Sequence, residues 1–162
     1  MMTLIAAALI AVPPTTYTLI PDSSDDIKAA VNQTVEHMSF VTRPIARGRL
    51  NKTNPLPQRV QVTQDQDTLA VAFDDGNPVI TPLDGHAVPW QSSLTHEDYQ
   101  AHAERSADTT AQVIVAPDGE RKNAYVFSDD GTRLTLRVTV SSHRLPRPLV
   151  YTLRFRRDPT IP

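Results

Sequence analysis

Beyond Phe40, apolar residues recur at every second position, and this alternation limits the possible fold more than any other feature. It is plainest in five segments, which carry Val60/Val62, Leu69/Val71/Phe73, Val113/Val115, Leu134/Leu136/Val138/Val140 and Tyr151/Leu153/Phe155. A period of two puts successive side chains on opposite faces, so each segment predicts a half-buried β-strand. Asp-Gly pairs at 75–76, 84–85, 118–119 and 130–131 suit tight turns between strands. The sequence therefore predicts a succession of hairpins.

One helix is predicted ahead of these strands, over Asp22–Met38. Apolar side chains recur there at spacings of three and four residues and form a single stripe. Pro21 precedes the segment, and residues 22–26 supply side-chain oxygens for an N-terminal cap. The segment Thr95–Arg105 tolerates a helix, but its alternation of Tyr99 with smaller apolar residues favours a strand.

The order of these elements predicts a mainly β fold. The strands number eight to ten, and no helix is predicted between them, which disfavours a parallel sheet because parallel strands need long crossovers. An antiparallel sheet of this size must protect its edges, and closing into a barrel does so. We therefore expect an up-and-down antiparallel barrel of about eight strands, with the N-terminal helix covering one end. A two-sheet β-sandwich is the alternative.

The N-terminal segment Leu4–Val12 is an unbroken apolar run. It is shorter than the roughly 20 residues needed to cross a bilayer, and it suits the apolar part of a signal peptide. We interpret residues 1–16 as a signal peptide or apolar leader and residues 17–162 as one domain, with no transmembrane span after the leader. This predicts a periplasmic or secreted protein. A buried N-terminal strand or helix is the alternative, and the protein would then be cytoplasmic.

The arrangement also resembles a known family. The predicted helix, the segment RPIARGRL at 43–50 and a meander ending in the hairpin Ser128–Arg157 are similar to exported bacterial proteins that have a lipocalin-like β-barrel. The resemblance covers residues 17–157. It implies a lipocalin-like barrel, and because that family has no assigned activity it implies no particular chemistry.

Charge is segregated along the chain, although the net charge is only −2. Residues 43–59 carry five basic side chains and residues 133–157 carry seven, and neither segment has an acidic residue. The segment at 43–50 is predicted to be the first strand of the barrel, which closure would place beside the last. A single cationic sector is therefore expected. It has two interpretations: a solvated outer face, or a surface that binds anions.

The candidate ligand-binding residues are Arg43, Arg47, Arg49, Tyr99 and Tyr151. The three arginines share one side of the predicted first strand, and neither side of that strand is cleanly apolar. An arginine directed into the barrel would require an anionic partner, because an unpaired buried charge is very costly. Its planar fork of donors suits a carboxylate or a phosphate.

Several other chemistries find no support in the sequence. The absence of cysteine excludes disulfides, thiolate metal sites and thiol nucleophiles. The sequence shows no catalytic constellation, no metal-ligand spacing, no cofactor motif and no exposed aromatic pattern typical of nucleic-acid binding. We therefore predict a non-enzymatic barrel that binds a small hydrophobic or amphipathic anion. The alternative is an envelope-associated interaction module that uses the arginine-rich surface.

Overall fold

The structure is a computed structural model, and it describes residues 13–160. Ten antiparallel strands form one sheet: β1 (Thr15–Leu19), β2 (Arg59–Gln64), β3 (Thr68–Phe73), β4 (Val79–Pro82), β5 (Val88–Gln91), β6 (Asp98–Arg105), β7 (Thr110–Ala116), β8 (Gly119–Phe127), β9 (Arg133–Ser142) and β10 (Leu149–Arg157). A 3₁₀ turn (Pro21–Ser23) and two helices, α1 (Ile27–Val35) and α2 (Arg43–Thr53), lie between β1 and β2.

The sheet rolls into a nearly closed barrel. The strand order is β4-β3-β2-β1-β10-β9-β8-β7-β6-β5, so strands that follow one another in sequence pair, except β4 with β5, and the first strand pairs with the last. The backbone ladder is interrupted only between β4 and β5, which we call the seam. The prediction of an up-and-down antiparallel barrel is thus confirmed, with ten strands rather than about eight. The segment Thr95–Arg105 contains strand β6, as its alternation predicts.

The alternation of β9 and β10 sets the inner and outer faces of the wall. Leu134, Leu136, Leu153 and Phe155 are at most 1% exposed and form the centre of the core. The intervening arginines point outward and are exposed. These arginines lie on the outer face of the wall, because burying the apolar face leaves the opposite face to water.

The predicted helix over Asp22–Met38 is shorter in the structure. Helix α1 begins after Asp26, whose carboxylate accepts from the amide of Ala29 at 3.2 Å and so caps the helix. The residues just before it are engaged by the barrel instead. The carboxylate of Asp25 accepts from the amide of Thr152 at 2.7 Å, and the hydroxyl of Ser24 accepts from the amide of Arg154 at 2.8 Å. These contacts hold the segment in a non-helical path along β10.

The prediction of a first strand at residues 43–50 is wrong, because this segment is helix α2. Its alternation places arginine on one side without a matching apolar side. Ala46 and Leu50 are instead four residues apart and pack together against the barrel core. Pro44 lies in the first turn of the helix, where a missing backbone N–H costs nothing. The first strand is Thr15–Leu19, upstream of both helices, so a helix pair rather than a single N-terminal helix covers the barrel end.

This change divides the predicted cationic sector. The arginines of residues 43–49 lie on α2 at the end of the barrel, whereas those of β9 and β10 lie on its outer wall. Arg59 on β2 belongs to the first basic segment and lies in the barrel wall. It pairs with Thr18 of β1, and Thr18 in turn pairs with Arg156 of β10.

The predicted leader falls mostly on residues 1–12, which lie outside the described residues, so export stays a prediction. Strand β1 begins at Thr15, so the last two residues of the predicted leader, Thr15 and Thr16, belong to the barrel and pair with Val62 and Gln61 of β2. Within residues 13–160, no helix combines the length and the apolar character needed to cross a membrane.

Candidate ligand-binding cavity

A cavity of about 830 Å³ opens at the helix-covered end of the barrel. Helix α2 forms one rim, and the turns that connect β3 to β4, β5 to β6, β7 to β8 and β9 to β10 form the rest. Deeper in the barrel the walls are mostly apolar, with Ile114, Leu136, Val138 and Leu153 among the lining residues. The volume lies within the range of ~300–1,000 Å³ that is typical of small-molecule sites.

The polar part of this cavity is centred on Arg121 of β8. Its guanidinium Nη1 donates to the side-chain oxygen of Asn54 at 2.7 Å, and Nη2 donates to the hydroxyl of Tyr151 at 3.2 Å. Its Nε donates to the side-chain oxygen of Asn123 at 3.1 Å. The Tyr151 hydroxyl in turn donates to the same oxygen of Asn54 at 3.0 Å. These four residues form the polar cluster of the cavity.

Helix α2 and three strands position this cluster. Asn54 ends α2 and donates to the carbonyl of Leu50 at 2.9 Å, which fixes the orientation of its amide. Asn123 pairs with Val138 across to β9, and Val138 pairs with Tyr151 on β10, so these side chains share one level of the inner wall. The cluster therefore joins the helical cover to the barrel wall at the cavity mouth.

The charge of Arg121 is not neutralised by a neighbouring acid. Within residues 13–160, no carboxylate oxygen lies within 4.0 Å of its guanidinium, and its partners are amide, carbonyl and hydroxyl oxygens. A half-buried cation with only neutral partners attracts an anion, because its charge is weakly screened inside the barrel. The cavity thus combines one positive group at the mouth with apolar walls below it.

A second group of side chains stands at the seam. Trp90 on β5 donates through Nε1 at 3.1 Å to the carbonyl of Pro78, the residue directly before β4, and so joins the two sides of the seam. Its ring lies 6.1 Å from that of Tyr99, between centroids. The Tyr99 hydroxyl donates to Glu97 at 2.5 Å, and burial together with this hydrogen bond raises the pKa of Tyr99. Tyr99 is therefore a neutral, polar-tipped lining residue.

The five residues predicted as ligand-binding have different positions. Arg49, Tyr99 and Tyr151 line the cavity, and Tyr151 is part of the polar cluster. Arg43 does not line it, because its guanidinium donates to the carbonyl of Met38 at 2.8 and 3.2 Å. Arg47 is exposed on α2 and also lies away from the cavity. The helical path of residues 43–53 separates these arginines, which a strand would have aligned.

Arg121, Asn54 and Asn123 are not among the residues predicted from the sequence. A signal for two of them exists in β8, because Tyr125 and Phe127 mark every second position of the strand as inward-facing. Extending that register backward puts Asn123 and Arg121 on the inner face as well. Asn54 offers no comparable signal, since its place depends on how α2 docks on the barrel.

The described part of the chain holds no group of three or more His, Cys, Asp or Glu side chains arranged to bind a metal ion. The polar cluster itself consists of an arginine, two amides and a phenol. Its donors suit an anion rather than a cation.

Comparison with solved structures identifies the fold. Fatty-acid-binding protein 1 of Echinococcus granulosus has a TM-score of 0.57 at 11% identity, covering 89% of this chain and 96% of that chain. The REP1-NXSQ fatty acid transporter gives 0.56 at 11% identity, with 90% and 96% covered. The Schistosoma mansoni fatty-acid-binding protein in complex with arachidonic acid gives 0.53 at 16% identity, with 89% and 94% covered. No family model matches the sequence, and neither does any curated protein.

Proposed function

We propose that this protein binds a small amphipathic anion, with the anionic group at Arg121 and the apolar part against the inner wall of the barrel. The observation that carries the proposal is Arg121 itself. Its guanidinium stands in the mouth of a cavity with apolar walls and contacts neutral partners. A carboxylate placed there would gain a charge-assisted hydrogen bond, which is stronger than one between neutral groups.

The fold supports the same class of ligand. The chain is a lipocalin-like barrel of the type found in fatty-acid-binding proteins, and several structures with this fold are named for the fatty acids that they bind or transport. That likeness concerns architecture at 11–16% identity, so the ligand class proposed here depends on the residues of this cavity. The neighbours named above are binding or transport proteins, and we propose no reaction for this cavity.

Titration with a charged and an uncharged ligand of the same length tests the proposal. Decanoate and decanol share the apolar tail, so calorimetric titration of both isolates the contribution of the anion. Replacing Arg121 by methionine keeps a long side chain and removes the charge. We expect Arg121→Met to weaken decanoate binding by about tenfold or more, as for a lost hydrogen bond to a charged group, and to change decanol binding little.

Arg137→Met provides the matched control, because Arg137 points outward on β9 and its substitution leaves the cavity unchanged. This variant should bind both ligands like the unmodified protein. Binding of neither ligand by the unmodified protein would refute the proposal. An equal loss of decanoate and decanol binding in Arg121→Met would show that the charge of Arg121 does not bind the anionic group.

A second candidate function rests on the outer arginine face, defined as Arg133, Arg137, Arg154 and Arg156. Arg133 and Arg156 are directly opposite each other on neighbouring strands, an arrangement of like charges that is unfavourable without a counter-ion. Within residues 13–160, no carboxylate oxygen comes within 4.0 Å of any of the four guanidinium groups. We propose that this face contacts an anionic lipid surface.

Sedimentation with vesicles tests this second function. We expect binding to vesicles that contain phosphatidylglycerol, no binding to pure phosphatidylcholine, and a steep loss with added salt because exposed charges are screened. The double substitution Arg154→Glu with Arg156→Glu should abolish binding. Arg105→Glu, on an exposed end of β6, is the control and should bind normally. Equal binding by both variants, or by both kinds of vesicle, would refute this role of the face.

A further inference from the structure

The side-chain oxygen of Asn54 accepts hydrogen bonds from a cation and a phenol at the same time. The donors are Nη1 of Arg121 at 2.7 Å and the hydroxyl of Tyr151 at 3.0 Å. Both donors belong to the barrel wall, and all three residues line the cavity. A carboxylate oxygen in the same place would be the stronger acceptor, because hydrogen bonds between charged groups are stronger than those to a neutral amide.

The donors of Arg121 are already in use. Nε donates to Asn123 and Nη2 to Tyr151, while Nη1 donates to Asn54 and, at 3.4 Å, to the carbonyl of Thr53. A carboxylate that binds the planar guanidinium through two parallel hydrogen bonds therefore meets partners that are in place. Asn123 and Tyr151 are held in the backbone ladders of β8 and β10, whereas Asn54 lies between α2 and β2. Replacing Asn54 thus disturbs the barrel least.

The same contacts attach the end of α2 to the barrel. Within residues 13–160, every hydrogen bond that joins residues 43–54 to a strand involves Arg121 or Tyr151. The contacts of α2 with the core are apolar and include Leu50. The amide nitrogen of Asn54 donates back to the carbonyl of Leu50 at 2.9 Å, which ties this side chain to the last turn of the helix. Loss of the contact at Arg121 would therefore be transmitted to that turn.

We propose that Asn54 is an internal competitor for the anion, and that an anionic ligand bound at Arg121 displaces Asn54 and releases the last turn of α2 from the barrel. This inference rests on the proposed function, because it takes Arg121 as the group that binds the anion. An uncharged ligand gains nothing from the exchange and leaves Asn54 in place. Binding of an anion and loosening of the cover at this end are thus one event.

Two substitutions of Asn54 should change decanoate binding in opposite directions. Asn54→Asp keeps the shape of the side chain and adds a negative charge, so it should pair with Arg121 and weaken decanoate binding by about tenfold or more. Asn54→Ala removes the competing oxygen and should tighten decanoate binding by about tenfold. Calorimetric titration measures both effects. Decanol, which carries no charge, should bind both variants like the unmodified protein.

Asn51→Asp is the matched control. It introduces the same charge on the same helix, at an exposed position that does not line the cavity. A long-range effect of an added negative charge would weaken decanoate binding in both aspartate variants, whereas competition at Arg121 predicts the loss in Asn54→Asp alone.

Hydrogen exchange on the unmodified protein tests the release of the helix directly. Saturation with decanoate should speed exchange of the amide hydrogens of residues 50–54 by about tenfold, which is the factor that the lost contact contributes to closing this turn. Saturation with decanol should not speed it. The amides of β9 are the internal reference and should not exchange faster with either ligand. This measurement does not depend on whether either variant of Asn54 folds.

The outcomes separate this inference from the proposed function. Failure of the unmodified protein to bind decanoate would refute the proposed function itself. If decanoate binds and Arg121→Met weakens it, but Asn54→Asp binds decanoate as Asn51→Asp does, anion binding stands and competition by Asn54 is wrong. Unchanged or slower exchange of residues 50–54 with decanoate would likewise overturn the release of the helix while leaving anion binding intact.

Discussion

Arg121 and Tyr151 meet inside the barrel, 3.2 Å apart between Nη2 and the phenolic oxygen, although the whole of β9 separates their strands. The two residues belong to adjacent levels of the inner wall, so the contact between their side chains is diagonal. Asn54 completes the contact from the end of α2. This arrangement makes one cluster responsible both for the charge of the cavity and for attaching the helical cover.

Replacing Tyr151 by phenylalanine should therefore destabilise the protein. Tyr151 is 1% exposed. Removing its hydroxyl takes one hydrogen-bond acceptor from Arg121 and one hydrogen-bond donor from Asn54. We expect the free energy of unfolding to fall by about 1–3 kcal/mol, as for two buried hydrogen bonds of which one involves a charge. Urea denaturation measures this change. Tyr99→Phe is the control and should cost less, because its hydroxyl partner Glu97 is exposed.

Two glycines should respond in opposite ways to alanine. An added Cβ on Gly119 would run into the backbone of Ser141 and lie 2.9 Å from the Cα of Ser142, so Gly119→Ala should destabilise by about 1–3 kcal/mol. Gly48 lies within α2 with no atom within 4 Å of such a Cβ. Gly48→Ala should stabilise by ~0.5–1 kcal/mol, since glycine is unfavourable in a helix. Thermal unfolding of both variants tests this prediction. A change in melting temperature of the same sign in both variants would contradict it.

The turn between β8 and β9 should make the stability of the protein depend on pH in the acidic range. Asp130 accepts from the hydroxyl of Ser128 and from the amide and hydroxyl of Thr132, and these hydrogen bonds lower its pKa to about 2. A lowered pKa in the folded state means that the carboxylate stabilises the protein above its unfolded pKa of ~3.9. That contribution disappears as the pH falls from about 4 toward 2.

The unmodified protein should therefore be more stable than Asp130→Ala at pH 7, and the difference should shrink across that range. Denaturation at several pH values measures it. Asp129→Ala, which alters an exposed neighbour, serves as the reference. A difference that persists unchanged at pH 2 would show that the carboxylate charge is not its source.

Charge reversal on the outer wall should increase stability. Arg156 faces Arg133 across β10 and β9, and Arg156→Glu converts a repulsive pair into an attractive one. We expect a gain of ~0.2–1 kcal/mol, which is the usual range for cross-strand pairs. The gain should decrease in high salt because both positions are exposed. Urea denaturation at low and high salt tests this, and a loss of stability at low salt would contradict it.

Much of the barrel follows from local pattern. The alternation in Leu134–Val140 and Tyr151–Phe155 predicts which side chains are buried, and the structure confirms it because a strand with one apolar face has a single favourable orientation. The Asp-Gly turn at 130–131 likewise predicts the β8–β9 hairpin. Tyr99 and Tyr151 also belong to alternating segments, and both line the cavity.

Tertiary structure decided what the local pattern left open. Residues 43–53 carry no strong alternation, and they form a helix because Ala46 and Leu50 find an apolar surface on the barrel. Arg121 and Asn123 face inward because the rest of β8 must bury Tyr125, so two polar residues are carried into the interior by register. Alternation between apolar and polar residues is a property of neighbouring positions and can be recognised in the sequence. A polar residue inside a barrel is stabilised by partners from distant segments, and only the folded chain brings those together.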